Sequence, residues 1–496
     1  MLFARNSLGA LLAGSLMPLG FAPFELYPVV VLSLALLFAL WRYATPVQAF
    51  VTGALFGLGM FLFGVSWVFI SMYDYGHVSL SLSVFLTLLF VTVLALFPAL
   101  AGWLAVRIRR TGTAYADLAM VLVFPAGWVL FEWFRGWFMT GFPWLLAGYS
   151  QLDAPLSGYA PLTGVYGLSL LVAVCAVLLV IAVDNDAGRI RGLPLFAIVM
   201  IWLAGAVLGH VRWTTPDQNL VRVSLIQGNI PQDMKWFPGM RQPTLELYRR
   251  QTEKHWNSDL VIWPETALPL FSDQAEVYLD NLADEAQMQK TDLLLGLVYR
   301  DPASGRYYNS MLGIGKQISL YHKRHLVPFT EFLPLKNVFA GIVGFLDVPM
   351  SDFSAGDRTQ RPLPLAGQHV GISICYEDAF GEEVIDQLPE ATLLVNVSND
   401  AWFTGSVAPA QHLQMARMRA LETGRTLLRA TNTGISAIIG ADGRIIREAP
   451  RDQLAVLDGM VRPRSGATPY VMTGNIPVLC LAGAMLLAGG VVSRRL

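Results

Sequence analysis

The sequence predicts a multi-pass α-helical membrane domain joined to an α/β domain in the second half of the chain. Hydrophobic residues make up 54% of the 496 residues and charged residues only 14%, a balance that lies outside the range of soluble proteins. Charged residues are sparse up to about residue 215, dense from 218 to 465, and sparse again afterwards. From about 219 the apolar segments also shorten to the length of strands. We therefore expect one part of the chain to lie in lipid and another part in water.

The membrane domain is predicted from apolar segments of about the length that crosses a hydrocarbon core. They lie at roughly 8–24, 27–41, 50–72, 78–106, 118–133, 165–183, 193–210 and 476–492, which gives about eight spans. The second and fifth are short, and the first contains Pro18 and Pro23. A cleavable signal peptide is the alternative for the first segment, although a clear small-x-small cleavage site is missing before the second span.

Arginine placement predicts the orientation of these spans, because short cytoplasmic loops accumulate Lys and Arg. The outer connections hold almost none, and Arg135 is the exception among the first seven spans. With both termini inside, the segment 211–475 lies outside, which in a bacterium means the periplasmic side of the inner membrane. The inner connections then hold Arg5, Arg42, Arg107, Arg109, Arg110, Arg189, Arg191, Arg494 and Arg495.

The α/β prediction rests on strand-sized apolar runs that alternate with amphipathic stretches, a pattern typical of a domain with buried strands. We divide the chain into helices one to seven at 1–215, an outer α/β domain at 219–465, and an eighth helix with the C-terminus at 474–496. The predicted strands are 221–228, 260–265, 293–300, 370–375 and 391–398, and the predicted helices are 242–256, 273–288 and 409–423.

Composition and cysteine usage exclude several classes of function. A net charge of −1 gives no basic excess that would attract nucleic acid. Cys175 and Cys480 lie inside apolar runs, which leaves Cys375 alone in the polar part without an obvious disulfide partner. No CxxC, HExxH or histidine-rich spacing offers a metal site. We therefore expect neither a metal nor another cofactor.

Cys375 is the first candidate for chemistry, because it ends an apolar strand and begins a predicted turn into a helix. Tyr376, Glu377 and Asp378 follow it directly. Backbone N–H groups at such a turn stabilise both a thiolate and a tetrahedral oxyanion. The alternative is a buried, inert thiol at the end of a strand.

Glu265 and Lys323 also stand at the ends of strand-like runs. Glu265 closes the run LVIWPE, and a carboxylate there suits a general base. The Lys323 ammonium would pair with Glu265, polarise an acyl carbonyl, and form a second ion pair with Glu331. The alternatives are a helix N-cap carboxylate for Glu265 and a salt-bridged basic loop for Lys323.

The order of three short motifs resembles that of the nitrilase superfamily. They are WPE at 263–265, YHK at 321–323 with PFTEF at 328–332, and a strand that ends in CYE at 375–377. Longer strings resemble one membrane-bound branch of this superfamily, the apolipoprotein N-acyltransferases, and the resemblance covers nearly the whole chain. These strings are QGNIPQDMKW (227–236), WPETALP (263–269), HLVPFTEFLP (325–334), ICYED (374–378), NVSNDAWF (396–403) and GRTLLRATNTGISAIIG (424–440).

The resemblance implies an αββα sandwich with Glu265 as base, Lys323 as electrostatic partner and Cys375 as nucleophile. It implies transfer of an acyl chain from a phospholipid, typically phosphatidylethanolamine, through a Cys375 thioester. The implied acceptor is the α-amino group of the diacylglyceryl-cysteine at the N-terminus of an apolipoprotein. Residues that match positions regarded as important in this family are Trp236, Glu331, Tyr376 and Glu377.

One further residue and two alternatives complete the sequence predictions. Trp402 is hypothesised to gate the entry of lipid substrates. A membrane-tethered nitrilase-type amidase that hydrolyses small amides would use the same Glu, Lys and Cys. A non-catalytic lipoprotein-binding scaffold would have kept the fold without the chemistry, but it would be expected to have lost at least one of the three residues.

Overall fold

The structure, a computed structural model, describes residues 2–109, 115–183, 191–332 and 352–493. The chain splits into two compact units, Met1–Arg212 with Met472–Leu496, and Trp213–Val471. The first unit holds the long apolar helices and the second holds the sheets. Arg110, Arg189, Arg494 and Arg495 of the predicted inner connections lie outside the described residues.

The first unit is built from apolar helices. Among the described residues, four helical segments are long and apolar enough to cross a membrane, namely Pro46–Gly64, Leu80–Ile108, Ala116–Arg135 and Pro155–Ala182. Tyr27–Arg42, Gly192–Leu208 and Ile476–Val492 are apolar but shorter. The protein is therefore a membrane protein with several spans, while the number eight stays a prediction. The helices are α1 Leu2–Leu16, α2 Tyr27–Arg42, α3 Pro46–Gly64, α4 Leu80–Ile108, α5 Ala116–Arg135, α6 Ala160–Ala182 and α7 Gly192–Leu208, followed after the second unit by Ile476–Val492.

Arg135, the exception in the predicted arginine pattern, is the buried last residue of α5. Its Nη1 donates to the carbonyl oxygens of Phe142 at 2.7 Å and Trp144 at 2.6 Å. Its guanidinium also lies 5.1 Å from the centroid of the Phe61 ring. A buried cation needs such acceptors, so this arginine fastens the connection after α5 to the end of its own helix.

In its described residues, the second unit contains two six-stranded sheets. The strands are β1 Thr215–Pro216, β2 Val221–Gln227, β3 Leu260–Ile262, β4 Asp292–Arg300, β5 Tyr307–Ile314, β6 Ile318–His322, β7 Leu363–Leu365, β8 Gln368–Ile374, β9 Leu393–Ser398, β10 Leu427–Thr431, β11 Ala437–Ile439, β12 Ile445–Glu448, β13 Ala455–Val461 and β14 Arg464–Ser465. The first sheet has the order β13-β2-β3-β4-β5-β6, and the second has the order β12-β11-β10-β9-β8-β7. A small additional pair, β1 with β14, joins the two ends of this unit.

Helices cover the outer faces of the two sheets. The helices α8 Arg241–Glu253 and α9 Glu276–Gln289 pack on the first sheet through an apolar cluster that contains Tyr248 and Leu282. The helix α10 Ala408–Thr423 packs on the second sheet through Leu413 and Ala416. A third cluster contains side chains of both sheets, such as Leu225, Ile262, Ile372 and Val395. The layers therefore follow the order αββα, with the largest core between the sheets.

Strand directions bring the predicted site residues to matching sheet ends. In the first sheet β3 runs parallel to β2 and β4, and β6 is antiparallel to β5, which is itself antiparallel to β4. The ends of β3 and β6 therefore meet at one edge, where Glu265 and Lys323 follow. In the second sheet β8 runs parallel to β9 and ends at Ile374, directly before Cys375. The strand β3 ends at Ile262, three residues before Glu265, because Pro264 has no N–H to donate to a ladder.

Gly296 in β4 allows the segment after β3 to pass close to that strand. A Cβ atom at this position would lie 2.1 Å from the carbonyl oxygen of Pro264 and 2.9 Å from the Cα atom of Glu265. We expect Gly296→Ala to displace this backbone and to lower the free energy of unfolding by about 1–3 kcal/mol. Unfolding followed in detergent measures the loss. Gly239→Ala is the control, since its Cβ would meet nothing within 4 Å, and equal stability of the two variants would contradict the close approach.

Candidate active site

Three buried charges meet where β3 and β6 end. The Nζ atom of Lys323 lies 2.9 Å from Oε1 of Glu331 and 3.4 Å from Oε1 of Glu265. The Lys323 side chain is 1% exposed, so its charge depends on these partners rather than on water. The second oxygen of Glu331 accepts a hydrogen bond from the backbone N–H of Val327. The structure thus brings together Glu265, Lys323 and Glu331.

Asn309, which the sequence analysis missed, joins the two carboxylates. Its Nδ2 donates to Oε1 of Glu265 at 2.8 Å and to Oε1 of Glu331 at 2.9 Å. Asn309 lies in β5, and the backbone N–H of Lys323 donates to its carbonyl oxygen. The sequence signal that could have identified it is an asparagine inside the mainly apolar run YYNSMLGI, because asparagine is depleted in strands.

The pKa of Lys323 is raised above its ordinary value. Although burial disfavours the ammonium, the carboxylates of Glu331 and Glu265 outweigh that effect. The lysine therefore stays a cation over the working pH range. A permanent positive charge at this place suits a group that holds a developing oxyanion rather than one that donates a proton.

Cys375 stands on a strained turn between β8 and the 3₁₀ helix Cys375–Ala379. Its backbone has φ of 52°, the left-handed region that a residue with a side chain rarely adopts. Such strain is typical of functional sites, where the surrounding structure over-determines the conformation. Cys375 as a whole residue is partly exposed. The turn therefore places the cysteine at the end of β8, at the edge of the second sheet.

Burial and the carboxylate of Glu265 raise the pKa of the Cys375 thiol above its ordinary value, while the charge of Lys323 lowers it. Cys375 and Glu265 in turn help to raise the pKa of Lys323. A thiol with a raised pKa is protonated at neutral pH, so it needs a base to become a nucleophile. Glu265 is the carboxylate that acts on it most strongly.

Glu377 links the turn at Cys375 to the segment that carries Lys323. Its Oε1 accepts from the backbone N–H groups of Arg324 and His325, at 2.7 and 3.2 Å. Its Oε2 accepts from the N–H of Ile374 at 2.7 Å and from the hydroxyl of Tyr321 at 3.1 Å. The contribution of Glu377 is therefore positional, because it joins the nucleophile turn to the lysine loop.

A second charged cluster lies behind Cys375, and the sequence analysis missed it as a group. It consists of Asp378, Asp400, His412 and Arg429, all nearly inaccessible to water. Cys375, Asp400 and His412 together have the donor atoms of a metal site, within 4.8 Å of one another. Both ring nitrogens of His412 already face carboxylates, Nδ1 at 2.9 Å from Asp400 and Nε2 at 2.9 Å from Asp378. This arrangement fits a network of ion pairs better than a metal centre.

Tyr376 and Trp402 were also predicted from the sequence as supporting residues. Tyr376 is buried and packs edge-on against the rings of His325 and Phe380. Trp402 is partly exposed in the 3₁₀ helix Asp400–Phe403, two residues after Asp400 of the charged cluster. Its role as a gate stays a prediction.

Trp236 is partly exposed and follows a buried lysine that the sequence analysis did not single out. The Nζ atom of Lys235 lies 2.6 Å from the hydroxyl oxygen of Thr266 and 3.3 Å from the carbonyl oxygen of Glu265. Burial lowers the pKa of Lys235 to about 8, although Glu265 opposes this shift. Thr266 has φ of 44°. The lysine thus supports the strained backbone directly after Glu265.

The αββα sandwich and a cysteine beside a buried Glu-Lys pair define the carbon–nitrogen hydrolase class, whose family model matches residues 222–470. The model of the apolipoprotein N-acyltransferase N-terminal domain matches residues 13–178. The apolipoprotein N-acyltransferase of Methylococcus capsulatus is 48% identical over 478 residues, 96% of this chain and 94% of the relative. That of Nitrosomonas europaea is also 48% identical, over 96% and 95% of the two chains. The chain belongs to the apolipoprotein N-acyltransferase family.

The two hydrogen bonds from Asn309 generate a prediction. Asn309→Leu leaves Glu265 and Glu331 each without one donor, and a hydrogen bond to a charged group contributes about 1.5–3 kcal/mol. We expect acyl-enzyme formation to slow by about 10- to 100-fold. Single-turnover kinetics measures this rate. Ser310→Ala is the control, since the Ser310 hydroxyl forms hydrogen bonds with Tyr308 and His322 instead. Equal rates of acyl-enzyme formation in the two variants would show that Asn309 does not contribute to the reaction.

Proposed function

We propose that this protein transfers an acyl chain from a phospholipid to the α-amino group of a diacylated apolipoprotein, with Cys375 as the covalent carrier. The observation that carries the proposal is the buried pair of Lys323 and Glu265 beside a thiol that needs a base. Family membership over nearly the whole chain supports the substrate classes. Phosphatidylethanolamine is the proposed donor, because the sequence resembles enzymes that use it.

In the proposed first step Glu265 takes the proton of the Cys375 thiol while the sulfur attacks the ester carbonyl of the phospholipid. The Lys323 ammonium and a backbone N–H near Tyr376 hold the negative charge that develops on the carbonyl oxygen. The tetrahedral intermediate then breaks its C–O bond. Glu265 returns the proton to the departing alkoxide, which leaves as lysophospholipid, and a thioester remains on the cysteine.

In the proposed second step the free amine of the lipoprotein attacks the thioester carbonyl. Glu265 accepts a proton from the amine, the C–S bond breaks, and the cysteine leaves as a thiolate that regains a proton. The product is an amide, so the lipoprotein carries three acyl chains. A thioester suits this sequence because the thiolate is a strong nucleophile when the thioester forms, and a good leaving group when an amine attacks its carbonyl carbon.

We propose that the second unit lies on the periplasmic side of the inner membrane, with both termini in the cytoplasm. Apolar helices flank this unit on both sides in the sequence, and the pairing of β1 with β14 joins its two ends. Each CH₂ group moved from lipid into water costs about 0.8 kcal/mol. A catalytic unit tethered to the bilayer avoids the extraction of long acyl chains.

The covalent step is tested by mass spectrometry of the intact protein after incubation with phosphatidylethanolamine alone. We expect the wild type to gain one acyl group that hydroxylamine removes, because hydroxylamine cleaves thioesters. Cys375→Ala should gain nothing. Cys480→Ala, which removes an exposed cysteine outside the second unit, is the matched control and should behave as wild type.

The same experiment separates the acyltransferase from an amidase that uses water. A diacylated lipopeptide with a free N-terminus should remove the acyl group from Cys375 and become triacylated. An N-acetylated lipopeptide should leave the acyl-enzyme intact, because it has no free amine. Release of free fatty acid without lipopeptide acylation would contradict the proposed acceptor.

The proposed orientation is tested by single-cysteine labelling in a background whose three native cysteines are replaced by alanine. Ser304→Cys, in the exposed turn between β4 and β5, should react with a membrane-impermeant maleimide in intact spheroplasts. Tyr43→Cys, in a predicted inner connection, should react only after the membrane is permeabilised. The reverse pattern would invert the proposed topology.

A further inference from the structure

The charged cluster behind Cys375 makes a contact with the backbone of the nucleophile itself. Besides its two carboxylate partners, Nε2 of His412 lies 3.1 Å from the carbonyl oxygen of Cys375. Nδ2 of Asn396 lies 3.4 Å from the same oxygen. The His412 ring is thus surrounded by acceptors, namely Asp400 on one side and Asp378 with the Cys375 carbonyl on the other.

The geometry of these acceptors defines the state of the ring. A histidine nitrogen that faces a carboxylate or a carbonyl oxygen must carry a proton to bond with it. Acceptors face both nitrogens of His412, so the ring is an imidazolium. Arg429 contacts Asp378 at 3.1 Å and Asp400 at 3.0 Å, so each of these side chains faces a guanidinium as well as the His412 ring. Cationic and acidic side chains thus alternate inside the domain.

The titration behaviour of the cluster agrees with this geometry. Although burial and Arg429 oppose the charge, Asp378 and Asp400 raise the pKa of His412 to about 9. Burial also opposes ionisation of Asp400, yet His412 and Arg429 lower its pKa to about 2.

The Cys375 carbonyl belongs to the same peptide unit as the N–H of Tyr376. A peptide unit is planar and trans, so its C=O and N–H point in opposite directions. A contact that fixes the carbonyl oxygen therefore also fixes the direction of the next N–H. The same contact opposes any rotation that would relax the left-handed backbone of Cys375.

We propose that the imidazolium of His412 is a positioning residue, which holds the Cys375 carbonyl and thereby aims the Tyr376 N–H at the oxyanion. The proposal rests on the proposed function only for the use of this N–H in acyl transfer. Hydrogen bonding at the carbonyl also polarises the peptide unit and strengthens the N–H as a donor. His412 acts through Cys375 and Tyr376 and does not touch the reacting atoms.

Two reactions of the same sulfur distinguish this role from general support of the fold. Acylation by an activated ester such as p-nitrophenyl butyrate passes through an oxyanion, whereas alkylation by iodoacetamide does not. The ratio of the two rate constants therefore reports on the oxyanion donor alone. Neither probe requires a phospholipid or a lipoprotein, so failure of the proposed substrates leaves this measurement intact.

Substitution of His412 by asparagine or by glutamine retains a different one of the two ring nitrogens as an amide nitrogen. The amide nitrogen of Gln in His412→Gln occupies the place of Nε2 and retains the donor to the Cys375 carbonyl. That of Asn in His412→Asn occupies the place of Nδ1 and loses it. We expect the acylation-to-alkylation ratio to fall by about 10- to 100-fold in His412→Asn, as for one lost oxyanion donor, and by less than about 5-fold in His412→Gln. Equal ratios in the two variants would overturn the proposal.

The wild-type protein supplies a second test, which holds if a variant fails to fold. The pKa of His412 lies above its ordinary value, so the doubly protonated ring persists at neutral pH and is lost as the pH rises through about 9. The groups that face the ring are Cys375, Asp378, Asp400 and Arg429. We expect the ratio to fall above pH 9. The state of the ring can also be observed by NMR in protein with ¹⁵N-labelled histidine. The His412 signal is assigned as the one that disappears in His412→Gln, and a neutral His412 ring at pH 7.5 would also overturn the proposal.

Discussion

The burial of the Lys323 ammonium is the constraint on which the rest of the site depends. A cation that is 1% exposed must be matched by anions inside the protein, since an isolated buried charge costs several kcal/mol. Glu331 and Glu265 supply those anions from two different segments. Asn309 holds the two carboxylates by a hydrogen bond to each. Glu265, Lys323 and Glu331, two of which are the proposed base and the proposed oxyanion partner, are therefore held by one electrostatic requirement.

The proposed nucleophile, Cys375, is subject to a different constraint, which is backbone strain. Its backbone has φ of 52°, and hydrogen bonds hold the backbone on both sides of it. Glu377 accepts a hydrogen bond from the N–H of Ile374 before it, and His412 with Asn396 bonds to its own carbonyl. Glu377 also bonds to the backbone of Arg324, so the two constraints are coupled.

Much of this architecture was predictable because it depends on local patterns. Apolar length predicted the helices Leu80–Ile108 and Ala116–Arg135 to within about two residues of the observed bounds. Runs of apolar residues predicted β2, β4, β8 and β9 in the same way. Asn309 and the partners of His412 were not predictable, because each acts on a residue distant in the sequence. Asn309 contacts Glu265 across 44 positions, and Arg429 contacts Asp378 across 51.

The sequence by itself determined that Cys375 is the one cysteine of the polar part, and that Glu265 and Lys323 stand at strand ends. These features depend on the composition and periodicity of short segments, so a single sequence is enough to predict them. Only the tertiary structure decided that Lys323 meets both Glu265 and Glu331, and that a histidine ring lies behind the Cys375 carbonyl. The first contact forms where the ends of β3 and β6 meet in one sheet. The second forms where α10 packs beside the end of β8, so Lys323 meets Glu265, and His412 meets Cys375, only in the folded chain.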